Sequence, residues 1–293
     1  MPQLTKVNAA VFLLPALITM LAISVAPFIY MVVLSFNKWD AAGFAAWRFV
    51  GLRNYGTFFA EESVWRALRV TVVYVFLCVT VELLVGLGLA FLFDVGFRGQ
   101  QLVRSLIFFP MVMSEVVVGL IWRWMLNAEY GIFNDGLATL GFGPIAWLTT
   151  PGLGLASVVV TDVWQWTPLI FLVSLAGLRS VPVDNLEAAR LDGASWWQTQ
   201  RYVALPAIRP IVLAVLLLRT IDCMRFADKI FIMTYGGPAG TTAIFPFYLY
   251  LKGFKYFSMG ETAAYAIIYM VLTTILARLM IRLFRRSGDR DRQ

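Results

Sequence analysis

Long apolar runs dominate this sequence, and the first of them, from Val7 to Asn37, contains no charged residue. A membrane-spanning helix needs about 20 consecutive apolar residues, so this run is long enough to cross a bilayer. Only 14% of the 293 residues are charged and 60% are hydrophobic, whereas a soluble domain has about 25% charged residues. The sequence therefore predicts a membrane protein, and it excludes a disordered or an ordinary cytosolic chain.

Six apolar runs predict an all-α membrane protein. The predicted spans are residues 9–36, 70–93, 105–126, 153–178, 210–232 and 262–284. The apolar segment between the last two is broken by Pro238 and Pro246, so we do not expect it to cross the membrane. The chain then divides into an N-terminal span with a first external loop (1–69), a core (70–284) and a basic tail (285–293).

Six spans place both termini on the same side of the membrane. The terminal side has 13 Lys and Arg residues and the opposite side has 9. Because cytoplasmic loops carry the excess of Lys and Arg, we expect both termini and the loop 179–209 to face the cytoplasm. The formal net charge is +7. Six of the cations lie between Arg278 and Arg292, beside a span. We therefore predict that this positive charge lies against a lipid bilayer and does not bind nucleic acid.

Rare residue types exclude several classes of enzyme. The chain has no histidine, which removes His-based acid–base chemistry and most catalytic zinc sites. It has no phosphate-binding loop of the G-x-x-x-x-G-K-[ST] type. Cys78 and Cys223 lie far apart in apolar segments and are predicted to be buried small side chains rather than a disulfide or metal ligands. We therefore predict no catalytic residue and no metal site.

The loop 179–209 has two interpretations on physical grounds. Asp184 and Glu187 have the spacing of a capping box at a helix start. Small residues follow, Gly193 permits a bend between two short helices, and Trp196 and Trp197 add apolar surface. The loop is either a docking element for a partner or a connector on the lipid headgroups with tryptophans as interface anchors.

The residues of this loop resemble a known motif. Glu187-Ala188-Ala189-Arg190-Leu191-Asp192-Gly193-Ala194, followed by Pro206, resembles the EAA loop of binding-protein-dependent ABC importer permeases. Further positions are similar to the sugar permease branch of the maltose and glycerol-phosphate type, and the variant Gly-Gly-Pro resembles the first of its two paired subunits. These positions are Pro110, Trp122, Trp124, Gly131, Asn134, Asp228, Thr234 and Gly236-Gly237-Pro238.

The resemblance implies partners and roles. It implies a second, similar permease subunit, two ATPase subunits that hold ATP and Mg, and an extracytoplasmic substrate-binding protein, in a bacterial cell membrane. This chain would itself hold no cofactor and would not be an enzyme. The residues implied to contact the ATPase are Glu187, Ala188, Ala189, Asp192, Gly193, Ala194, Trp197, Gln200 and Pro206. Gln200 stands where the family usually has Phe. Glu115 and Glu261 stand where the family usually has less acidic residues.

Charged residues inside the predicted fifth span are spaced by three. Arg219, Asp222, Arg225 and Asp228 allow each neighbour to pair with the next. Because ionisable groups at membrane depth are costly, such residues are functional candidates. The alternatives are a self-neutralising ladder and a polar wall that offers donors and acceptors to sugar hydroxyls.

Polar and aromatic residues also cluster in the predicted fourth span. Asp162 and Trp166 share a helix face and Gln165 borders it. An aromatic platform beside carboxylate or amide groups suits the apolar face and hydroxyl rim of a sugar, although bundle packing with one polar residue is the alternative. Glu115 in the third span, Asp222 and Arg225 complete the predicted substrate pathway. Glu82 ranks below these pathway candidates, because its small neighbours Gly86 and Gly88 suggest helix packing.

The first hypothesis for function is the permease subunit of an ATP-driven importer for a carbohydrate or related polyol. The alternative is a stand-alone secondary transporter or channel subunit that uses its intramembrane carboxylates for protons or cations. The EAA-like loop and the absence of a visible inverted repeat argue against that alternative. A membrane-embedded enzyme is the weakest hypothesis, because the chain lacks histidine and an obvious metal cluster.

Overall fold

The computed structural model describes residues 6–39 and 47–290, and the side chains of residues 12–39 and 47–284. Residues 40–46 of the predicted first loop and the side chains of the predicted tail, 285–293, lie outside these ranges. Within the described ranges, five helices are long and apolar enough to cross a membrane, and a bent pair makes a sixth if it is counted as one span. The all-α membrane fold is therefore confirmed at the level of five to six spans.

Two compact units make up the chain, and each is described by itself. The first comprises Met1–Val64 and Leu249–Leu272, and the second Trp65–Tyr248 and Thr273–Gln293. The first predicted span is a helix with a π-helical turn in its middle. The N-terminal elements are α1 (Lys6–Met20), the π turn (Leu21–Val25), α2 (Ala26–Ser35), the antiparallel pair β1 (Asn37–Lys38) and β2 (Arg48–Phe49), and α3 (Arg53–Ala60).

The second and fourth predicted spans form long helices. Helix α4 (Glu62–Asp94) begins well before the predicted start at Val70, so its first two turns take residues that were assigned to a loop. Helix α8 (Leu153–Arg179) agrees with the prediction within a residue. The most apolar part of α8 is 61% buried inside the chain, whereas that of α4 is 22% buried, so α8 is the more central helix.

The third predicted span is not continuous. It consists of α5 (Gln100–Val112) and α6 (Glu115–Met125), which are bent by 101° at Met113 and Ser114. Both break residues have extended backbone, with ψ of 146° and 141°. The Met113 carbonyl, which loses its helical partner at the break, accepts a hydrogen bond of 2.9 Å from Gln165 Nε2 instead. Glu115, expected near the middle of a span, therefore starts a helix at a bend.

The fifth predicted span is displaced and broken. A helix runs through α10 (Trp196–Thr199), a π turn (Gln200–Ala204) and α11 (Leu205–Arg225), so it starts inside the predicted loop. It ends at Arg225, Phe226 has extended backbone, and α12 (Asp228–Met233) starts a separate short helix.

The remaining elements follow the prediction more closely. The segment between the fifth and sixth spans contains only short helices, as expected from its prolines, and α14 covers the predicted sixth span and continues beyond it. These elements are α7 (Ile132–Thr139), α9 (Val183–Leu191), α13 (Phe245–Tyr250), a π turn (Leu251–Lys255) and α14 (Met259–Arg290).

Glycines allow close helix approach in the second unit. A Cβ at Gly86 of α4 would lie 3.0 Å from Ile170 Cβ of α8, and one at Gly177 of α8 would lie 3.3 Å from Ile208 Cβ of α11. Gly88 faces open space, so its predicted packing role is wrong. Small residues let helices approach closely in membranes, where packing is a main source of helix association. These contacts set α4, α8 and α11 side by side and position the site described next.

Candidate functional site

Five charged side chains from five helices meet inside the second unit. They are Glu82 of α4, Glu115 of α6, Asp162 of α8, Arg219 of α11 and Lys229 of α12, and we call them the charge cluster. All except Glu115 are buried. The cluster gathers two predicted pathway residues, Glu115 and Asp162, with three residues that were not predicted to belong to the pathway.

Arg219 holds two carboxylates at once. Its Nε and Nη2 donate to the two oxygens of Glu82 at 2.8 and 2.7 Å, and Nη2 also lies 2.7 Å from Asp162 Oδ2. Such two-point contacts use the planar fork of the guanidinium and are stronger than single hydrogen bonds. Glu82 is therefore an ion-pair partner of Arg219, which its small neighbours did not indicate.

The predicted ladder within α11 does not form. No ion pair joins any two of Arg219, Asp222, Arg225 and Asp228, all of which are described residues. The helix ends at Arg225, so Asp228 lies beyond the break, and Arg225 and Asp228 are exposed. Carboxylates on neighbouring helices compensate Arg219, which a pattern along one helix cannot show.

Lys229 joins three helices. Its ammonium group donates to Asp162 Oδ1 of α8 and lies 3.5 Å from Glu115 Oε2 of α6. Lys229 was not among the predicted pathway residues, yet its side chain is only 2% exposed. The apolar run Ile230–Met233 directly after it was the one available signal that this cation is enclosed.

Trp166 lies between a cation and a carboxylate. Its ring is 4.8 Å from the Arg219 guanidinium carbon, and its Nε1 donates to Glu115 Oε1 at 3.2 Å. A cation over the indole face is attracted by the ring. The predicted pathway residue Gln165 turns away from this group, because its Nε2 donates to Met113 and its buried Oε1 has no protein partner.

A very small cavity adjoins the cluster. Its volume is about 10 Å³, which is about the space of one water molecule. The lining includes the predicted residues Glu115, Asp162 and Asp222, together with Arg219, Cys223 and Lys229; Arg225 does not take part. A sugar ring does not fit in a cavity of this volume.

Two cysteines that are distant in sequence meet beside the cluster. Ligand atoms of Cys78, Asp162 and Cys223 lie within 4.8 Å of one another, and both cysteines are free and buried, in agreement with their predicted burial. Arg219 Nη2 is 3.2 Å from Cys223 Sγ. A metal ion there would face the Arg219 and Lys229 charges, so the arrangement disfavours a cation.

The loop 179–209, hereafter the coupling loop, contains two short helices. The residue before α9 is Pro182 and no side chain caps this helix, so the predicted capping box at Asp184 and Glu187 is wrong. A capping box does form at the start of α10, where Ser195 N donates to Gln198 Oε1 at 2.7 Å and Gln198 N donates to Ser195 Oγ at 3.4 Å. Gly193 between the helices has φ of +80°, a conformation that favours glycine.

The coupling loop is anchored at its ends and exposed in its middle. Val181 and Ala204 belong to the buried core with Phe171 and Ile208. Leu191 is 89% exposed and Trp197 71% exposed, while Gln200 is buried. Of the other predicted contact residues, Glu187, Ala188, Asp192, Gly193 and Pro206 are exposed, and Ala189 and Ala194 are half-buried. Trp197 therefore exposes a large apolar side chain in this loop, whereas Gln200 does not face solvent.

A second ion-pair group lies in the first unit. Lys252 Nζ is 2.8 Å from both Glu61 and Glu261, and the Tyr265 hydroxyl donates to Glu61 at 2.7 Å. Burial alone would lower the pKa of Lys252, but its hydrogen bonds to Glu261 and Glu61 raise this pKa above its usual value. Glu261, one of the unusually acidic positions, thus has a structural partner.

Comparison with known proteins agrees with this architecture. Residues 82–288 match the family described as "Binding-protein-dependent transport system inner membrane component". The chain belongs to this family. It is a permease component of an ABC transporter and a multi-pass membrane protein.

Individual relatives cover nearly the whole chain. The chain is 39% identical to the "Probable ABC transporter permease protein y4oQ" of Sinorhizobium fredii, over 94% of its own length and 89% of that protein. It is 35% identical to the "Trehalose/maltose transport system permease protein MalF" of Thermococcus litoralis, over 82% and 81%. A solved bacterial alginate ABC transporter has a chain of the same fold, with a TM-score of 0.84 at 20% identity over 95% and 94%.

Proposed function

We propose that this chain is one of two membrane subunits of an ATP-driven, binding-protein-dependent importer for a carbohydrate or related polyol. The family and the trehalose/maltose relative support this assignment. The observation that carries it is the position of the coupling loop. This exposed segment directly joins α8 and α11, the helices that carry Asp162 and Arg219 of the charge cluster.

The coupling loop supplies a mechanical route to the cluster. Two partner ATPase subunits, which hold ATP and Mg, bind the exposed surface around Glu187, Gly193 and Trp197. Because Val181 and Ala204 fix the ends of the loop in the core, movement of the loop displaces α8 and α11 as well. Rigid helices transmit such displacements as rocking between states. In this assignment ATP hydrolysis belongs to the partner subunits, and this chain is not an enzyme.

The pathway for the sugar passes the charge cluster. Glu115 is 23% exposed, and Trp166 is half-buried with Arg219 on its ring. Together they offer an acceptor and an aromatic surface to a sugar, with Asp162 and Asp222 on the cavity wall. Arg225 and Gln165 lie away from this wall and have supporting roles at most.

The remaining partners follow from the assignment. A second, similar permease completes the pathway, and an extracytoplasmic binding protein delivers the substrate on the side opposite the coupling loop. Both termini face the cytoplasm, as the distribution of Lys and Arg indicates. The location is the inner membrane of a bacterial cell.

Uptake by the reconstituted whole importer tests this proposal. We expect proteoliposomes with ATP inside and the binding protein outside to accumulate labelled trehalose or maltose. Glu187→Lys should abolish ATP-driven uptake, whereas Glu129→Lys makes the same charge change on an exposed loop far along the chain and should leave it intact. Uptake driven by a proton or sodium gradient without ATP would support the secondary-transporter alternative instead.

A further inference from the structure

Helices α6 and α12 are packed on each other as a pair. A Cβ at Gly119 of α6 would lie 3.3 Å from Ile232 Cβ of α12, and Arg123 Nη1 donates to the Ile232 carbonyl at 2.9 Å. Each helix follows a break in its chain, α6 after Met113–Ser114 and α12 after Phe226–Ala227. Two adjacent breaks let a close-packed pair of helices move as one body relative to the helices before them.

Polar contacts hold this pair against α8. Lys229 of α12 pairs with Asp162, and Glu115 of α6 accepts from Trp166. One ring contact, between Trp122 and Trp164 at 5.7 Å, accompanies them. The small cavity lies among these polar residues. Because about 10 Å³ cannot hold a solute, the pair must separate from α8 for a solute to pass.

When α6 and α12 separate from α8, some of these polar contacts break and others remain. Asp162 loses Lys229 but keeps Arg219, which holds it at 2.7 Å. Glu115 loses Trp166 but stays near Lys229, since both move with the pair. The cavity lining has three carboxylates, Glu115, Asp162 and Asp222, against the two cations Arg219 and Lys229. The opened wall is therefore anionic on balance.

We propose that Lys229 is the positioning residue that closes the pathway, and that its withdrawal with α6 and α12 opens an anionic wall that admits neutral and cationic solutes in preference to anions. This inference rests on the proposed function for the identity of the pathway. Among the proposed carbohydrates and polyols, it disfavours those that carry negative charge. Like-charge repulsion in a low-dielectric channel is strong enough to select between solutes.

The native Cys223 reports the opening directly. It lines the cavity and is only 3% exposed, so it reacts with a water-borne reagent only when the cavity opens. In a Cys78→Ser background it is the single thiol of the chain. A methanethiosulfonate reagent forms a disulfide with it: the thiolate attacks the sulfenyl sulfur, the S–S bond to the sulfonyl group breaks, and methanesulfinate leaves. Cationic and anionic reagents of similar size measure the charge preference.

The experiment uses the complete importer in proteoliposomes, with Cys78→Ser as the parent. We expect Lys229→Met to raise the Cys223 reaction rate by about tenfold, which corresponds to a shift of about 1.4 kcal/mol in the opening equilibrium. The cationic reagent should react faster than the anionic one, and more so in this variant. Lys229→Arg should retain the parental rate. Asp228→Asn removes an exposed charge one residue away and is the matched control.

A second variant keeps the test decisive if Lys229→Met does not assemble. Asp162→Asn removes the other half of the contact, so it should also speed the reaction while shifting the preference toward the anionic reagent. Parental rates in both variants, or a faster anionic reagent in the parent, would overturn the inference. These outcomes do not depend on the substrate. If the cysteine behaves as expected but neither trehalose nor maltose nor another carbohydrate is taken up, the proposed function fails and the closing role of Lys229 stands.

Discussion

Arg219 is the residue on which the interior of the second unit depends most. It is 2% exposed and compensates both Glu82 and Asp162. Removing one partner of a buried ion pair leaves an uncompensated charge, which costs about 3–5 kcal/mol. We therefore expect Arg219→Met to lower the melting temperature of the purified protein in detergent markedly and to reduce its yield.

The chain offers a close control for this prediction. Arg225 lies on the same helix but is exposed and has no ion pair to the charge cluster. Arg225→Met should therefore leave the melting temperature near that of the parent. Equal losses from the two substitutions would mean that the number of cations in α11, and not the pairing of Arg219, determines stability.

Single residues were predictable from the sequence only as candidates. Asp162 and Glu115 stood out because carboxylates are rare at membrane depth. Their partners did not, because Glu82, Arg219 and Lys229 come from three other helices. The i,i+3 spacing in α11 suggested ion pairs within that one helix. A single sequence does not show that Arg219 pairs instead with Glu82, 137 residues away.

At the scale of helices, the crossing of α4 and α8 yields a second prediction. Gly86→Ala places a methyl group 3.0 Å from Ile170 and 3.1 Å from the Phe171 backbone nitrogen, so the helices must move apart. Gly88→Ala meets open space in the same helix and should gain up to about 1 kcal/mol from helix propensity. We expect thermal unfolding in detergent to show opposite signs for the two changes. Stabilisation by both would mean that α4 and α8 do not pack closely at Gly86.

Gly193 in the coupling loop yields a third prediction. Its φ of +80° is inaccessible to proline, so Gly193→Pro should reorient α9 against α10 and abolish the stimulation of partner ATPase activity by loaded binding protein. Asn tolerates left-handed backbone, so Gly193→Asn should retain most of this ATPase stimulation. ATPase assays on the reconstituted importer measure both, and normal stimulation in the proline variant would remove the bend from the coupling mechanism.

Continuous helices were easier to predict than interrupted ones. Helix α8 matches its apolar run because nothing inside it stops the hydrogen-bond ladder, and Pro168 is accommodated. The breaks after Val112 and Arg225 lie inside predicted spans. Hydropathy does not register the first break, where the distant side chain of Gln165 satisfies the Met113 carbonyl.

At the scale of the whole molecule, the residues that line the charge cluster leave no room for a sugar. The cavity at the charge cluster holds about one water molecule, with a volume near 10 Å³. Large apolar side chains are exposed on the spanning helices, among them Phe76, Leu84 and Leu106 at 65% or more. In the proposed importer, lipid covers part of this surface, and the second permease covers the rest and completes the pathway.

The composition of the native complex is the fourth prediction. We expect native mass spectrometry of material from the host's own membranes, in mild detergent, to show one copy of this chain, one different permease and two ATPase copies. In the proposed importer each coupling loop binds one ATPase, so two ATPases require a second permease with its own loop. An active assembly of this chain alone, or one that lacks ATPase subunits, would contradict this stoichiometry and would make the buried carboxylates candidate sites for protons or sodium ions.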